Sequence, residues 1–193
     1  VEIELKEPKI PYRETVRGKV QVQGRHKKQS GGRGQFGDCW IEMEGLPRGT
    51  GYQFEDGIVG GVIPRQYIPA IDKGIQESAA RGYLAGCPVV DFKVRVYDGS
   101  YHTVDSSEMA FKMAGSIAFK AAMAQLKTIL LEPVVQMTVT IPDEYMGDVI
   151  GDLSSRRGKV LGSDSQGGLT ELKVYVPMSE VLRYAPDLRS MTG

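Results

Sequence analysis

The order of elements in the last third of the chain restricts the fold more than any other feature of the sequence. Alternating apolar residues indicate strands, and apolar residues three or four positions apart indicate helices. These patterns predict, in the order strand, helix, strand, strand and helix, the segments Val134–Ile141, Asp143–Arg156, Lys159–Gly162, Leu169–Val176 and Met178–Leu188, with a turn at residues 163–168. This order is one strand short of a ferredoxin-like (βαββαβ) domain, so we expect the native protein to continue beyond residue 193.

The residues before this region also alternate between strand and helix patterns. Strands are predicted at Thr15–Val22, Cys39–Met43, Phe54–Val62 and Val89–Val96, with a hairpin turn at Asp98-Gly99. One helix is predicted from about Tyr67 to a stop at Gly82. A second helix is predicted from a cap at Asp105 to a point before Leu130, in which Met109, Met113, Ile117 and Ala121 recur at four-residue spacing and alanines allow close packing against a sheet. The Glu132-Pro133 pair then indicates a domain boundary.

A short strand pattern at Val1–Leu5 is followed by Pro8 and Pro11. Because a single strand cannot form a domain, we expect this strand to belong to a preceding domain. The chain as a whole is therefore predicted to be α+β and to be a fragment of a longer protein.

Charge is distributed unevenly along a chain whose 24 basic and 24 acidic residues balance overall. Residues 15–37 contain no Asp or Glu but carry the cations Arg17, Lys19, Arg25, Lys27, Lys28 and Arg33. Glycines at four positions of residues 31–37 leave out the Cβ atoms that would hold the backbone away from a surface. Such a loop suits a polyanion, above all nucleic acid, although a mobile solvated hairpin loop would explain the same composition.

The sequence lacks the motifs of several other functions. GGRGQFG is not followed by Lys-Ser or Lys-Thr, so there is no P-loop and no nucleotide hydrolysis is expected in this chain. Cys39 and Cys87 have neither metal-binding nor disulfide spacing, so we expect reduced core cysteines and no metal site. No apolar run reaches the roughly 20 residues of a spanning helix, and no signal peptide is recognisable, so a cytoplasmic location is expected.

Two groups allow both a functional and a structural interpretation. His102 lies in the polar segment YHTVDSS, where it could stack on a base or bind a phosphate, or could be an ordinary surface residue. Arg156 and Arg157 follow a predicted helix, where they could bind phosphates or simply interact with the helix dipole. Neither histidine has neighbours spaced for a catalytic triad or a metal site.

Long motifs of this chain resemble bacterial elongation factor G, and they occur in the same order over essentially the whole length. They are QSGGRGQFG (29–37), IVGGVIPRQYIPAIDKGI (58–75), YDGSYHTVDSSEMAFK (97–112), LLEPV (130–134) and GDVIGDLSSRRG (147–158). A match of several long motifs is far more specific than a single glycine-rich loop.

The resemblance implies a domain organisation and an activity. Residues 1–12 would end domain III, residues 13–130 would form domain IV with the fold of ribosomal protein S5 domain 2, and residues 131–193 would form a ferredoxin-like domain V without its last strand. The parent would be a GTPase whose GTP and Mg²⁺ bind in an N-terminal domain, while this part needs no cofactor. GTP hydrolysis there would drive translocation of tRNA and mRNA through the ribosome.

The resemblance also assigns residues to ribosome binding. The tip of domain IV, which enters the decoding region, would contain Lys27, Lys28, Gln29, Ser30, Gly31, Gly32, Arg33, Gly34, Gln35, His102, Asp105 and Ser106. The residues of domain V that would face the sarcin-ricin loop and the stalk base are Ser155, Arg156 and Arg157. The expected partners of this monomer are the ribosome, its rRNA and the tRNA–mRNA pair, with no membrane partner.

Other functions stay open at the level of sequence. Lys27-Lys28 and GLPRGTG at Gly45–Gly51 look more like an elongation factor G paralogue, and some such relatives act in ribosome recycling, with ribosome recycling factor as a partner. A stand-alone RNA-binding module is a further alternative. An enzyme is disfavoured because no nucleophile, base and electrophile converge in the motifs.

Overall fold

A computed structural model describes residues 9–29 and 31–192 of the chain. The strand predicted at Val1–Leu5 lies outside the described residues, as does Ser30. The described residues form a mixed α+β structure that divides into two compact units. The first unit is Tyr12–Leu131, and the second begins at Glu132.

The first unit contains two sheets and two helices. Its elements are β1 (Arg13–Arg17), β2 (Lys19–Lys28), β3 (Gln35–Gly45), β4 (Tyr52–Asp56), α1 (Ile68–Arg81), β5 (Phe92–Ser100), α2 (Glu108–Gln125) and β6 (Lys127–Leu131). The larger sheet has the order β2-β3-β5-β4, in which only β4 and β5 run parallel to each other. β1 and β6 form a separate antiparallel pair.

Small residues let α2 lie close to the sheet and let α1 and α2 lie close to each other. A Cβ atom at Gly24 of β2 would collide with the backbone of Ala114, and one at Gly37 of β3 would collide with Ala110, so α2 lies directly on this hairpin. A Cβ atom at Gly115 of α2 would likewise meet the backbone of Ile71 in α1. The apolar side chains of both helices and of the sheet form one core, in which the largest fully buried residues include Phe92, Phe111 and Phe119.

Several predicted strand boundaries in this unit were wrong. The strand predicted at Thr15–Val22 is two strands, because Gly18 adopts φ +101° and redirects the chain from one sheet to the other. The strand predicted at Phe54–Val62 ends at Asp56. Asp98 and Gly99 lie within β5 and pair with β3, so they do not form a hairpin turn. β6 was not predicted.

The apolar residues predicted at four-residue spacing on α2 are not its buried face, whereas the predicted close packing of its alanines against a sheet is confirmed. The side chains of Met109, Met113 and Ile117 are exposed, and Met109 keeps 65% of its surface accessible. Ala110, Ala114, Ala118 and Ala122 are fully buried in their place. Four-residue spacing fits both faces, and the close approach to Gly24 and Gly37 leaves room only for the alanine face.

The second unit has the predicted order of elements. They are β7 (Val134–Pro142), α3 (Met146–Ser155), β8 (Lys159–Gln166), β9 (Leu169–Pro177) and α4 (Tyr184–Thr192). The strands form an antiparallel sheet in the order β7-β9-β8, as in a ferredoxin-like domain, and Val149 and Leu153 of α3 are fully buried against it. β8 extends to Gln166, so the turn predicted at residues 163–168 contains only Gly167 and Gly168. Helices α1 to α4, which are those described, are too short or too polar to cross a membrane.

Candidate nucleic-acid interface

The basic glycine-rich segment is the end of a long hairpin, as the alternation on either side of it predicts. β2 and β3 pair continuously from Lys19 opposite Glu44 to Lys28 opposite Gln35, which leaves residues 29–34 as the connection. Gly31 has φ +47°, a left-handed conformation that favours glycine, and no heavy atom lies near the position of its missing Cβ. The backbone is therefore open to solvent at Gly31, and the side chain of Arg33 is exposed two residues later.

A second loop, residues 101–107, joins β5 to α2. The backbone N–H of His102 donates to Ser106 Oγ at 2.8 Å, and the N–H of Ser106 donates to the carbonyl oxygen of His102 at 3.0 Å. These reciprocal hydrogen bonds close the loop into a defined turn. Helix α2 begins directly after this turn, and Ser107 is its cap, because Ser107 Oγ accepts the N–H of Ala110 at 3.1 Å. The predicted cap at Asp105 was therefore wrong.

The two loops contact each other. The N–H of Phe36 donates to the carbonyl oxygen of Asp105 at 2.9 Å, and the Arg33 guanidinium donates to the carbonyl oxygen of Val104 at 3.2 Å. A Cβ atom at Gly34 would lie 2.8 Å from a carboxylate oxygen of Asp105, so a larger residue there would have to displace that side chain. We call residues 27–29, 31–35 and 101–106 the tip surface. It brings together the residues that the resemblance assigned to the tip, with the exception of Ser30, whose position is not described.

The tip surface is positively charged. Lys27 and Lys28 are exposed and form no ion pair within the described part of the chain. The guanidinium of Arg25 lies over the ring of Phe36, 5.6 Å from its centre. The one acidic side chain of the tip surface is Asp105, whose carboxylate is 24% exposed. An array of cations with so little opposing charge attracts a polyanion.

The ring of His102 is oriented by its own loop. Its Nδ1 atom accepts the backbone N–H groups of Val104 at 3.3 Å and of Asp105 at 3.1 Å. A carboxylate oxygen of Asp105 lies 3.6 Å from the same nitrogen, which is beyond hydrogen-bond distance. The side chain is 55% exposed, and its ring lies 6.4 Å from that of Phe36.

Sequence reasoning did not identify Phe36 as part of the site, and it assigned Gln35 to ribosome binding without its contact inside the hairpin. Phe36 connects the two loops through its backbone and supports both Arg25 and His102 through its ring. Gln35 Oε1 lies 2.8 Å from His26 Nε2 and joins β2 to β3 just below the tip. In the sequence, the one sign of this role was that Phe36 stands beside a glycine-rich loop. The contacts of Phe36 follow only from the register of the β2–β3 hairpin.

Arg156 and Arg157 of the second unit have partners within that unit. The Arg156 guanidinium donates to Asp152 at 2.9 Å, to the carbonyl oxygen of Glu180 at 2.7 Å and to Asp187 at 2.6 Å, and it lies over the ring of Tyr184. Arg157 pairs with Glu132 and Glu180, and Ser155 Oγ donates to the carbonyl oxygen of Asp152. These carboxylates raise the pKa of both guanidinium groups. Their assignment to rRNA stays a prediction.

Two other kinds of site, a metal site and a reactive thiol at Cys39, can be compared with the described residues. Within residues 9–29 and 31–192, no three His, Cys, Asp or Glu side chains come together in a way that could hold a metal ion. Cys39 is fully buried in β3, and burial, together with the neighbouring charge of Asp38, raises the pKa of its thiol to about 12. A thiol in this environment is not a nucleophile at neutral pH.

Comparisons with known proteins give consistent results for both units. The family model described as elongation factor G, domain IV, matches residues 8–127, and the model described as elongation factor G C-terminus matches residues 129–193. A crystal structure of a protein from Thermus thermophilus is 48% identical, with a TM-score of 0.89. That match covers 98% of this chain and 28% of the other, so the present chain spans little more than a quarter of its relative's length.

Proposed function

Because the chain belongs to the elongation factor G family, we propose that it is the part of a translation factor that enters the decoding region of the ribosome and promotes the movement of tRNA and mRNA. GTP hydrolysis coupled to this movement would take place in an N-terminal domain of the parent protein, where GTP and Mg²⁺ bind. The partners are then the ribosome, its rRNA and the tRNA–mRNA pair, and the location is the cytoplasm.

The observation that carries this proposal is the meeting of two separate loops in one cationic tip surface. Residues 27–35 and 101–106 are far apart in sequence, yet the Phe36–Asp105 and Arg33–Val104 hydrogen bonds join them. Both loops rest on regular structure, since the first continues β2 and β3 and the second leads into α2. A charged surface on a stiff support suits a contact with RNA phosphates.

The mechanism we propose is occupation of space. The tip surface binds the site that a tRNA has left and thereby disfavours the tRNA's return, because a ligand shifts an equilibrium by its difference in affinity for the two states. In this account the glycines of residues 31–34 permit close approach, and Lys27, Lys28 and Arg33 compensate phosphate charge. No bond is made or broken at the tip.

The experiment that tests this proposal removes charge from the tip of the full-length parent protein. In the double variant Lys27→Gln/Lys28→Gln, we expect single-round translocation to slow by about a hundredfold, since each of the two charged hydrogen bonds to a phosphate is worth about 1.5 kcal/mol, or about tenfold. The dependence of ribosome affinity on salt concentration should also become shallower, by about one unit of log–log slope per lysine. Ribosome-stimulated GTP hydrolysis should change much less.

A matched control removes the same charge elsewhere. Lys120 is exposed on α2, about 18 Å along the helix from its first residue, and Lys127 is exposed at the start of β6. The double variant Lys120→Gln/Lys127→Gln should translocate at the wild-type rate. If both double variants were equally impaired, or if translocation and GTP hydrolysis fell together in the tip variant, a role specific to the tip would be contradicted.

A paralogue acting in ribosome recycling is the second candidate. It is favoured by Lys27-Lys28 and by the turn at residues 45–51, which look more like such relatives. The same parent protein should therefore be assayed for subunit splitting with ribosome recycling factor. Activity in splitting without activity in translocation would select this second candidate.

A further inference from the structure

Strand β2 forms one edge of the larger sheet. In the order β2-β3-β5-β4, β2 pairs only with β3 within the part of the chain that the structure describes. Every second residue of an antiparallel pair directs its N–H and C=O groups away from the partner strand, so about half of the 10 residues of β2 present unpaired backbone groups. A long edge of this kind can accept a further strand.

The position of α1 shows which flank of α2 lies above this edge. The helices α1 and α2 run side by side, and Ser78 Oγ lies 2.5 Å from Ser116 Oγ. α1 is also connected to β4, the strand at the opposite edge of the sheet, since the hydroxyl of Tyr52 donates to Asp72 Oδ1 at 2.6 Å. The flank of α2 that faces away from α1 therefore lies on the β2 side of the sheet.

That flank of α2 is apolar and exposed. It carries Met113 and Ile117, which are about one helical turn apart and keep 44% and 36% of their surface accessible. The next residues along the helix, Ala114 and Ala118, lie against Gly24 of β2. An extended chain placed beside β2 would therefore pack the side chains of one of its faces on Met113 and Ile117.

The opposite face of β2 carries positive charge. The exposed side chains of Lys19 and Arg25 lie on this face, because side chains alternate along a strand and Gly24 faces α2. Residues 15–37 contain no Asp or Glu. Side chains directly opposite each other on neighbouring strands interact, so acidic residues of an added strand would be favoured here. A second copy of β2 would bring like charges together and is disfavoured.

We infer that this edge binds an extended acidic segment of another protein, which joins the sheet as a strand beside β2. Its apolar side chains pack on Met113 and Ile117, and its acidic side chains face the cations of β2. Backbone hydrogen bonds supply affinity in this mode of recognition, and the alternating side chains supply specificity. The surface is separate from the tip, since Gly24 precedes residue 29 by about 17 Å of extended chain.

NMR of the 193-residue chain with three capped octapeptides tests the inference. The first peptide alternates valine and glutamate, the second is the same peptide with every amide nitrogen methylated, and the third has lysine in place of glutamate. We expect the first peptide to shift the backbone amide signals of β2 and the methyl signals of Met113 and Ile117. Methylation removes the backbone donors and lysine reverses the charge, so the other two peptides should bind at least about tenfold more weakly.

Three results of this titration would overturn the inference. They are the absence of any shift in β2 at low-millimolar peptide, equal binding of the methylated peptide, and equal binding of the lysine peptide. The second would show that no strand is added to the sheet, and the third would show that charge does not select the partner.

Substitutions on α2 locate the contact. Ile117→Glu places a carboxylate on the apolar flank and should weaken binding of the first peptide by about tenfold or more. Met109→Glu is the matched control, because Met109 is exposed on the same helix but lines a cleft with Pro69 and Lys73 of α1, and it should bind like wild type. Urea unfolding shows whether each variant is folded, and Met113→Glu serves as a second variant. Wild-type binding by folded Ile117→Glu and Met113→Glu would overturn the inference.

RNA is the other class of partner that a cationic edge could bind. Titration with hexauridylate should leave the methyl signals of Met113 and Ile117 unchanged and should not displace the acidic peptide. If the RNA shifted these methyl signals and displaced the peptide, the edge would be a nucleic-acid surface and the inference would be wrong.

Discussion

Glu14 of β1 is a buried carboxylate with an unusual set of partners. It has no solvent exposure, and its two oxygens accept the backbone N–H groups of Tyr83, Leu84, Ala85 and Cys87 at 2.5–3.2 Å. The backbone of Glu14 also pairs with Pro88 and Val90. One side chain thereby fixes the whole connection between α1 and β5. Sequence patterns could not reveal this, because the donors are backbone groups far along the chain.

Replacing Glu14 by Gln should destabilise the first unit in a way that depends on pH. Burial alone would raise the pKa of this carboxyl, but the four N–H groups lower it below its ordinary value. A lowered pKa in the folded state means stability that is present at neutral pH and is lost as the pH falls through that pKa. We expect Glu14→Gln to cost about 2 to 3 kcal/mol at pH 7, since N–H groups lose their acceptor.

The measurement is the free energy of unfolding by urea between about pH 7 and pH 3. The difference between wild type and Glu14→Gln should shrink below about pH 4, where the carboxyl of the unfolded chain is protonated. Glu108→Gln, an exposed residue of the same unit, should stay within about 0.5 kcal/mol of wild type throughout. If the difference in free energy of unfolding did not vary with pH, the charge of Glu14 would not be what stabilises the connection between α1 and β5.

The arginines of the second unit illustrate the limits of a motif. The sequence Ser-Arg-Arg-Gly allowed both phosphate binding and a structural role. The side chain of Arg156 is only 20% exposed and has three partners, so it connects α3 to α4. Arg157 is 54% exposed, and its backbone has φ +60°, so this residue ends α3 in a left-handed conformation. Removing Arg156 should therefore destabilise the unit more than removing Arg157.

At the scale of elements, the hairpin β2–β3 and the helix α2 depend on each other. Gly24 and Gly37 lie under the buried alanine face of α2, and Ser107, the last residue of the second loop (residues 101–107), is the cap of that helix. The same contact that buries the alanines leaves Met109, Met113 and Ile117 exposed. The position of α2 thus determines where the second loop, residues 101–107, ends.

Ser107→Ala tests this coupling at the helix cap. Loss of the hydrogen bond from Ala110 to Ser107 Oγ should lower the free energy of unfolding by about 1 kcal/mol. Ser107→Asp supplies another favourable cap and should lie close to wild type. Chemical denaturation followed by circular dichroism measures both. If Ser107→Ala were neutral while Asp105→Ala lost the same energy, the cap would lie at Asp105 after all.

At the scale of the whole molecule, the core of the first unit and the loop of residues 29–34 have separate roles. The core of the first unit consists of apolar side chains from α1, α2 and the sheet, and residues 29, 31, 32 and 33 contribute no buried side chain to it. Lys28 and Gln35 are paired and close the hairpin at the base of the loop. We therefore expect that a shorter connection between β2 and β3 still allows the first unit to fold but does not support the proposed function.

Replacing residues 29–34 by Asn-Gly tests this separation. These two residues form a tight turn that suits the twist of a two-stranded hairpin. We expect the free energy of unfolding to change by no more than about 1 kcal/mol, because loop-closure entropy varies slowly with length. Translocation by the parent protein should be largely lost. A variant that unfolds, or one that keeps full translocation, would contradict the separate roles.

The sequence by itself determined the α+β class, the order of elements in the second unit and the hairpin that ends in the basic loop. These follow from local spacing, since the period of apolar residues and the conformations of glycine act within a few positions. Tertiary structure decided the strand break at Gly18, the alanine face of α2, the orientation of His102 and the partners of Glu14 and Arg156. Each of these depends on backbone groups brought together by the folded chain, and no local pattern of side chains encodes where such groups will meet.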